Sequence, residues 1–189
     1  MNRTKAPACQ IHHNHHDHWV ASIFHNNKIY LMDSLGNERP DKKLIPTGLE
    51  IQLSQLYGEH LSDMTIHVPS VMKQNNSIDC GLYAIAFITF YCLRKQLPFD
   101  LIFDCKQMRA HLIACFESER ISEFPLTKKT LSIRRKKNTK TINIRNYCIC
   151  HLPECFDDLV ECDKCKNWYH KSCVNAPSDD ISDFHCQLC

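Results

Sequence analysis

No long hydrophobic run, apolar leader or sustained repeat occurs in this chain of 189 residues. The longest apolar stretch, Leu82 to Leu93, is about a dozen residues, short of the roughly 20 that cross a bilayer as a helix. Membrane partners are therefore not expected. Met1 to Gln10 (MNRTKAPACQ) holds no apolar segment, so neither a signal peptide nor a secreted disulfide scaffold is expected. Collagen, coiled-coil and solenoid periods find no support. Tryptophan is scarce, with only Trp19 and Trp168. An apolar fraction of 43% nevertheless provides for a real core and excludes global disorder.

Thiols and imidazoles are abundant, with 13 cysteines and 12 histidines. Cysteine clustering without a secretory signal points to metal binding. Eight of the 13 cysteines fall in the last 42 residues, and the other five are scattered singly at 9, 80, 92, 105 and 115. Net charge is +2 but unevenly spread. Residues 125–146 hold eight Lys/Arg and no acid, whereas residues 147–189 hold three bases against eight acids. These shifts divide the chain into a globular body at 9–124, a basic linker at 125–146 and an acidic metal-bound module at 147–189.

In the body, Trp19 to Phe24 and Ile29 to Asp33 suit two strands joined at His25-Asn26-Asn27, with a third at Thr65 to Val68 before Pro69. Gly81 to Leu93 is apolar on every face, as a buried central helix would be. Leu101 to Phe116 has a weaker helical pattern with Ile102, Met108, Leu112, Ile113 and Phe116 as core candidates. An α+β domain follows. Cys92, Cys105 and Cys115 are expected to pack in the core. His12, His13, His15 and His16 are expected in a solvated polar loop.

The chemistry concentrates just before the buried helix, in Gln74-Asn75-Asn76-Ser77-Ile78-Asp79-Cys80-Gly81. A cysteine on the first helical turn meets the positive end of the macrodipole, which favours thiolate, the nucleophile of acyl transfer. Such a nucleophile needs a base, a group to orient it and donors for the oxyanion. His18 precedes one strand and Asp33 ends the next, so adjacent antiparallel strands can bring them together. Gln74 could offer its amide to the oxyanion.

The series His18-Trp19, Asp33, Gln74 and Asp79-Cys80-Gly81 resembles the active site of the ubiquitin-like-protein protease family, which comprises the SUMO-specific proteases and their adenovirus-protease relatives. The resemblance covers most of residues 10–116. It implies a papain-like, adenain-type fold with His18 as general base, Asp33 as its orienting partner, Gln74 as oxyanion donor and Cys80 as nucleophile. Trp19 would line the tunnel that admits a glycine-ended tail. Family domains carry a substantial stretch before the histidine, so the 17 residues here imply a protease domain short on its N-terminal side.

The module at 147–189 has the series C-x-C-x11-C-x2-C-x4-H-x2-C-x12-C-x2-C, formed by Cys148, Cys150, Cys162, Cys165, His170, Cys173, Cys186 and Cys189. Eight such ligands make two tetrahedral sites of the structural zinc type. So small a module needs the metal for its folding free energy. A histidine standing fifth resembles the PHD finger, whose cross-braced sites imply Cys148, Cys150, His170 and Cys173 on one zinc and Cys162, Cys165, Cys186 and Cys189 on the other. His151 and Cys155 lie outside the pattern. Phe184 stands where the family more often has tryptophan.

The resemblance further implies histone-tail recognition. Tyr147 and Trp168 would form two walls of a methyl-lysine cage and Leu159 an apolar wall. Asp157, Asp158 and Asp163 would pair with basic side chains of the tail. Arg134 to Lys137 suits nuclear import or a weak nucleic-acid backbone contact, and a nuclear protein is expected. Two functions follow. One is a chromatin-targeted cysteine protease acting on ubiquitin-like modifiers or their conjugates. The other is a non-enzymatic reader carrying a protease remnant, since such fusions also resemble products of eukaryotic mobile elements.

Overall fold

A computed structural model describes residues 9–14, 17–36, 45–58, 63–127, 139–176 and 183–189. The chain divides into two compact units: Met1–Leu44 with Ile66–Ile142, and Ile45–Thr65 with Asn143–Cys189. Among the described residues no helix is long and apolar enough to cross a membrane.

The first unit is α+β. Its sheet runs in the order β1 (Cys9–His13), β2 (Trp19–His25), β3 (Lys28–Met32), β4 (Asp63–Pro69). Asn26 and Asn27 both take positive φ, 48° and 57°, as a two-residue turn matching the right-handed strand twist requires. Strands β2 and β3 therefore pair antiparallel from His25 opposite Lys28 to Ala21 opposite Met32. Strand β4 joins β3 in parallel, with Ile29 opposite Ile66.

Helix α2 (Cys80–Arg94) packs on this sheet. Lys95 closes it in the left-handed conformation and donates its N–H to Tyr91 O at 2.8 Å. Tyr83, Phe87 and Phe103 are sealed together, with the Phe87 and Phe103 ring centroids 5.7 Å apart. The helix is not buried all round, because Leu93 is 48% exposed and Cys92 also faces solvent. Helix α3 (Met108–Glu117) begins seven residues after the start of the predicted pattern. Its Met108 is fully buried, but Ile113 and Phe116 are exposed and line an outer groove with Ile78 and Leu82.

The histidine-rich run departs from expectation as well. His12 and His13 belong to β1, not to a solvated loop: His12 is buried and its Nε2 bonds Ser22 Oγ on β2 at 2.7 Å. His13 packs against the Trp19 ring at a centroid distance of 4.8 Å. His15 and His16 lie outside the described residues. The stretch expected to be a linker carries secondary structure at both of its described ends. Its start is pinned by a bridge between Leu126 and Phe103, and Thr139–Tyr147 is β5. Arg134 to Lys137 lie outside the described residues.

The second unit combines the Cys/His-rich segment with α1 (Thr47–Tyr57), a helix the sequence pattern does not announce. Strand β5 pairs antiparallel with β6 (Leu152–Pro153), and β7 (Leu159–Glu161) pairs with β8 (Trp168–His170). Helix α1 buries Leu49 and Leu53 together with Glu50 and Ser54. Ser54 Oγ donates to Asn146 Oδ1 at 2.9 Å, and Cys155 Sγ donates to Glu50 Oε2 at 3.3 Å. The cysteine outside the ligand pattern thus satisfies a buried carboxylate.

Candidate active site and metal centres

The β2–β3 hairpin brings the predicted base and its partner together. His18 stands just before β2, where Asn14 donates its N–H to His18 O at 2.9 Å and accepts the His18 N–H at 3.2 Å. Asp33 follows β3, and its Oδ1 receives His18 Nε2–H at 2.7 Å. Leu35 and Gly36 donate their N–H groups to the same oxygen at 2.9 and 3.3 Å. Burial works against the Asp33 carboxylate, but His18 and these two N–H groups outweigh it and hold its pKa below the ordinary value.

Burial also works against an imidazolium at His18. The hydrogen bond and charge of Asp33, joined by a negatively charged sulfur at Cys80, outweigh it and raise the His18 pKa. With Nε2 committed to Asp33, the buried Nδ1 makes no hydrogen bond among the described residues and is the ring nitrogen left for a further partner. Cys80 opens α2 and is 4% exposed. N–H groups of that first turn have no partner within the helix and favour negative charge beside them. Trp19 is half exposed and lies against the residue after Cys80: a methyl group at Gly81 would come 3.6 Å from Trp19 Cδ1.

Gln74 is buried. Its Oε1 accepts Ser34 Oγ–H at 2.6 Å and its Nε2 donates to Asn76 O at 2.6 Å. Asn76 organises the rest of the loop, its Oδ1 accepting the N–H groups of Ile78 and Asp79, both at 3.0 Å. Asp79 takes an ion pair from Arg109 of α3. The sequence pattern did not reveal Ser34, Asn76 or Arg109. Serine next to Asp33 was visible, but its partner lies 40 residues away.

In the second unit the eight ligand residues fall into two clusters, Cys148, Cys150, His170, Cys173 and Cys162, Cys165, Cys186, Cys189. Within each, the donor atoms all lie within 4.8 Å of one another, so each could hold a metal ion. Four sulfurs about 2.3 Å from a central ion stand roughly 3.8 Å apart. The Sγ separations are 3.4 Å for Cys162–Cys189, 3.8 Å for Cys165–Cys186 and 3.3 Å for Cys186–Cys189. His170 is fully buried, and its Nε2–H donates to Pro153 O at 3.0 Å, leaving Nδ1 for a metal, 3.2 Å from Cys150 Sγ. Burial opposes charge on Cys162, but the N–H groups of Cys186, Cys165 and Lys164 prevail and bring its thiol down to about 5.

Tyr147 and Trp168 line one groove of ≈ 820 Å³, with Arg145, Lys166 and Leu188. Asp157, Asp158, Leu159 and Asp163 are not among the residues of that groove. Asp157 accepts Ser172 N–H at 2.9 Å and Asp163 accepts Phe184 N–H at 2.9 Å, so both have structural work. Phe184 packs on the small core of Cys162, Tyr169, Val174 and Cys186.

Comparison with known proteins agrees with both halves. Over 47 residues, 23% of the chain, it is 47% identical to the zebrafish (Danio rerio) lysine-specific demethylase phf2. It is 40% identical over 47 residues to human lysine-specific demethylase 7A, and 37% identical over 46 residues to the COMPASS component SPP1 of Saccharomyces cerevisiae. These matches cover 4%, 5% and 13% of the relatives' own lengths. They are consistent with a PHD-type finger fused to a protease domain. No solved structure matches the chain significantly. Residues 10–123 match the Ulp1 protease family, C-terminal catalytic domain, and with more than half its length so matched the chain belongs to the Ulp1 protease family.

Proposed function

We propose that the chain is a thiol protease cleaving after the terminal glycine of a ubiquitin-like modifier. A PHD-type finger holding two structural zinc ions would target it to chromatin by reading a histone tail. The observation that carries the protease reading is the His18–Asp33 pair at 2.7 Å, with the buried His18 Nδ1 left to serve the Cys80 thiol.

The reaction follows from that geometry. Cys80 Sγ attacks the carbonyl carbon of the modifier's last glycine while His18 Nδ1 takes the thiol proton. Negative charge moves to the carbonyl oxygen, where the Gln74 amide and first-turn N–H groups of α2 act as donors. Collapse breaks the C–N bond, and His18 returns the proton to the departing amine. Water, deprotonated by His18, then hydrolyses the thioester and releases the modifier's carboxylate. Asp33 holds the imidazole tautomer throughout. Trp19 over Gly81 supports a narrow approach that only a side-chain-free tail can enter.

The ligand set and the sulfur spacings support zinc over harder cations. The matching relatives bear names of lysine-specific demethylases and a COMPASS component, which supports histone reading in the nucleus. Tyr147 and Trp168 would take the methylated ammonium in their groove, while Asp157, Asp158 and Asp163 supply negative potential nearby. Leu159 on β7 would serve as an apolar wall.

Two assays test this reading. Fluorogenic substrates ending in the glycine of each modifier should be cleaved by wild type and not by Cys80→Ala. Trimethyl-lysine-4 histone peptides should bind, and Trp168→Ala should abolish binding with metal content unchanged. Equal affinity for unmodified and trimethylated peptide would sink the cage.

A further inference from the structure

The oxyanion donor only works if its amide presents nitrogen, not oxygen, to the developing charge. Nothing in the chemistry of glutamine ensures this, because the two ends of the amide have nearly the same shape. Here the surroundings decide. Asn76 O is a carbonyl and can only accept, so the atom 2.6 Å from it must be Gln74 Nε2. The other end then faces Ser34 Oγ, which donates to Gln74 Oε1 at 2.6 Å. Ser34 is 1% exposed, so no solvent competes for its hydroxyl, and Gln74 N–H also donates to Ser34 O at 2.9 Å. One hydrogen of Nε2 is used by Asn76, and the other remains uncommitted among the described residues.

Resting on the protease reading above, we infer that Ser34 is a positioning residue that locks the Gln74 amide with its free N–H available to the oxyanion. Ser34 directly follows Asp33, so one chain turn after β3 serves both sides of the reaction. Asp33 orients the base, and Ser34 orients the electrophilic donor. Removing the hydroxyl leaves Oε1 buried and unpaired, and the amide turns to seek another donor. The donor is then lost for part of the time while the Cys80–His18 pair keeps its geometry.

The test separates oxyanion stabilisation from thiol reactivity. Ser34→Ala should lower kcat on the fluorogenic substrate about tenfold, as loss of one buried hydrogen bond would. It should weaken a C-terminal aldehyde of the modifier, whose adduct carries the oxyanion, by a similar factor. Alkylation of Cys80 by iodoacetamide forms no oxyanion, and its rate should match wild type across pH. In a Gln74→Ala background, Ser34→Ala should add no further loss. Equal losses in alkylation and turnover, or full additivity with Gln74→Ala, would overturn the inference.

A spectroscopic arm makes the outcome independent of turnover. In wild type, the two Gln74 side-chain amide protons should give separate NMR signals, one exchanging slowly through its bond to Asn76. In Ser34→Ala, exchange of that proton should accelerate and the signals broaden. Unchanged signals overturn the inference. If wild type neither cleaves nor binds the aldehyde, the protease reading fails while the amide spectra still decide the role of Ser34.

Discussion

At the centre of the first unit stand Tyr83, Phe87, Phe103 and Met108, all but sealed from water, whereas the second unit buries Cys162, Cys186 and His170 as well as the apolar Ile45, Leu53 and Met64. Both gain free energy from apolar surface removed from water, but only the second has two Cys/His clusters that could add metal–ligand bonds the unfolded chain cannot make. The contrast bears on function. The first unit joins His18 and Asp33 at the ends of two strands of a sheet packed against α2, the rigid scaffold that a catalytic pair would need. The second unit gathers two Cys/His clusters, each able to frame a surface in few residues if it holds a metal ion.

Removing metal should break the comparison most visibly. A strong chelator should cost the second unit on the order of 10 kcal/mol and unfold it. Hydrogen exchange should show protection lost at Leu159–His170 and retained in α2. The converse perturbation is Phe87→Ala, which opens a cavity in the aromatic core and should destabilise the first unit by about 3–5 kcal/mol. Two bound metal ions per chain, measured by elemental analysis, should survive it.

Asp33→Asn probes the site rather than the core, and kcat should fall by roughly 10² or more as the imidazole loses its tautomer. Its effect on stability should depend on pH. The Asp33 pKa is depressed below 3.8, so its contribution is present above that value and lost as pH falls through the depressed one. The His18 pKa is raised above 6.5, so its contribution is complete below that value and lost as pH rises through the raised one. The pair therefore stabilises most between these limits, and thermal unfolding of Asp33→Asn should show both limbs flattened. The smallest effect belongs to Gly81→Ala. At ordinary contact distance from Trp19, the added methyl should raise stability by about 0.5 kcal/mol in thermal unfolding.

Much of the site was legible because its signals are local. An all-apolar stretch after Asp79-Cys80 predicts α2 with Cys80 at its start, and Asn26-Asn27 sets the hairpin that joins His18 to Asp33. The eight Cys/His residues stand out by their spacing, and each set of four implied by the resemblance to the PHD finger is gathered in one cluster that could hold a metal ion. What escaped depends on partners remote in the chain. His12 is buried in β1 because Ser22 on the next strand satisfies it. Helix α1 shows a mixed face in sequence, and Glu50 and Ser54 lie inside because Cys155 and Asn146 meet them. Strand β5 was masked by its basic surroundings, although Ile144 and Asn146 alternate inward along it. Ser34 and Asn76 belong to the same class, since polar positioning leaves no periodicity.

The central claim is that Cys80, served by His18 and Asp33, is a working nucleophile for glycine-ended modifiers. It is tested most directly by incubating the protein with ubiquitin and ubiquitin-like proteins that carry a C-terminal electrophile and measuring intact mass. The account predicts one adduct, mapped by digestion to Cys80 and absent from Cys80→Ala and His18→Ala. A folded protein that forms no adduct with any of these probes, or forms it at another cysteine, would contradict it.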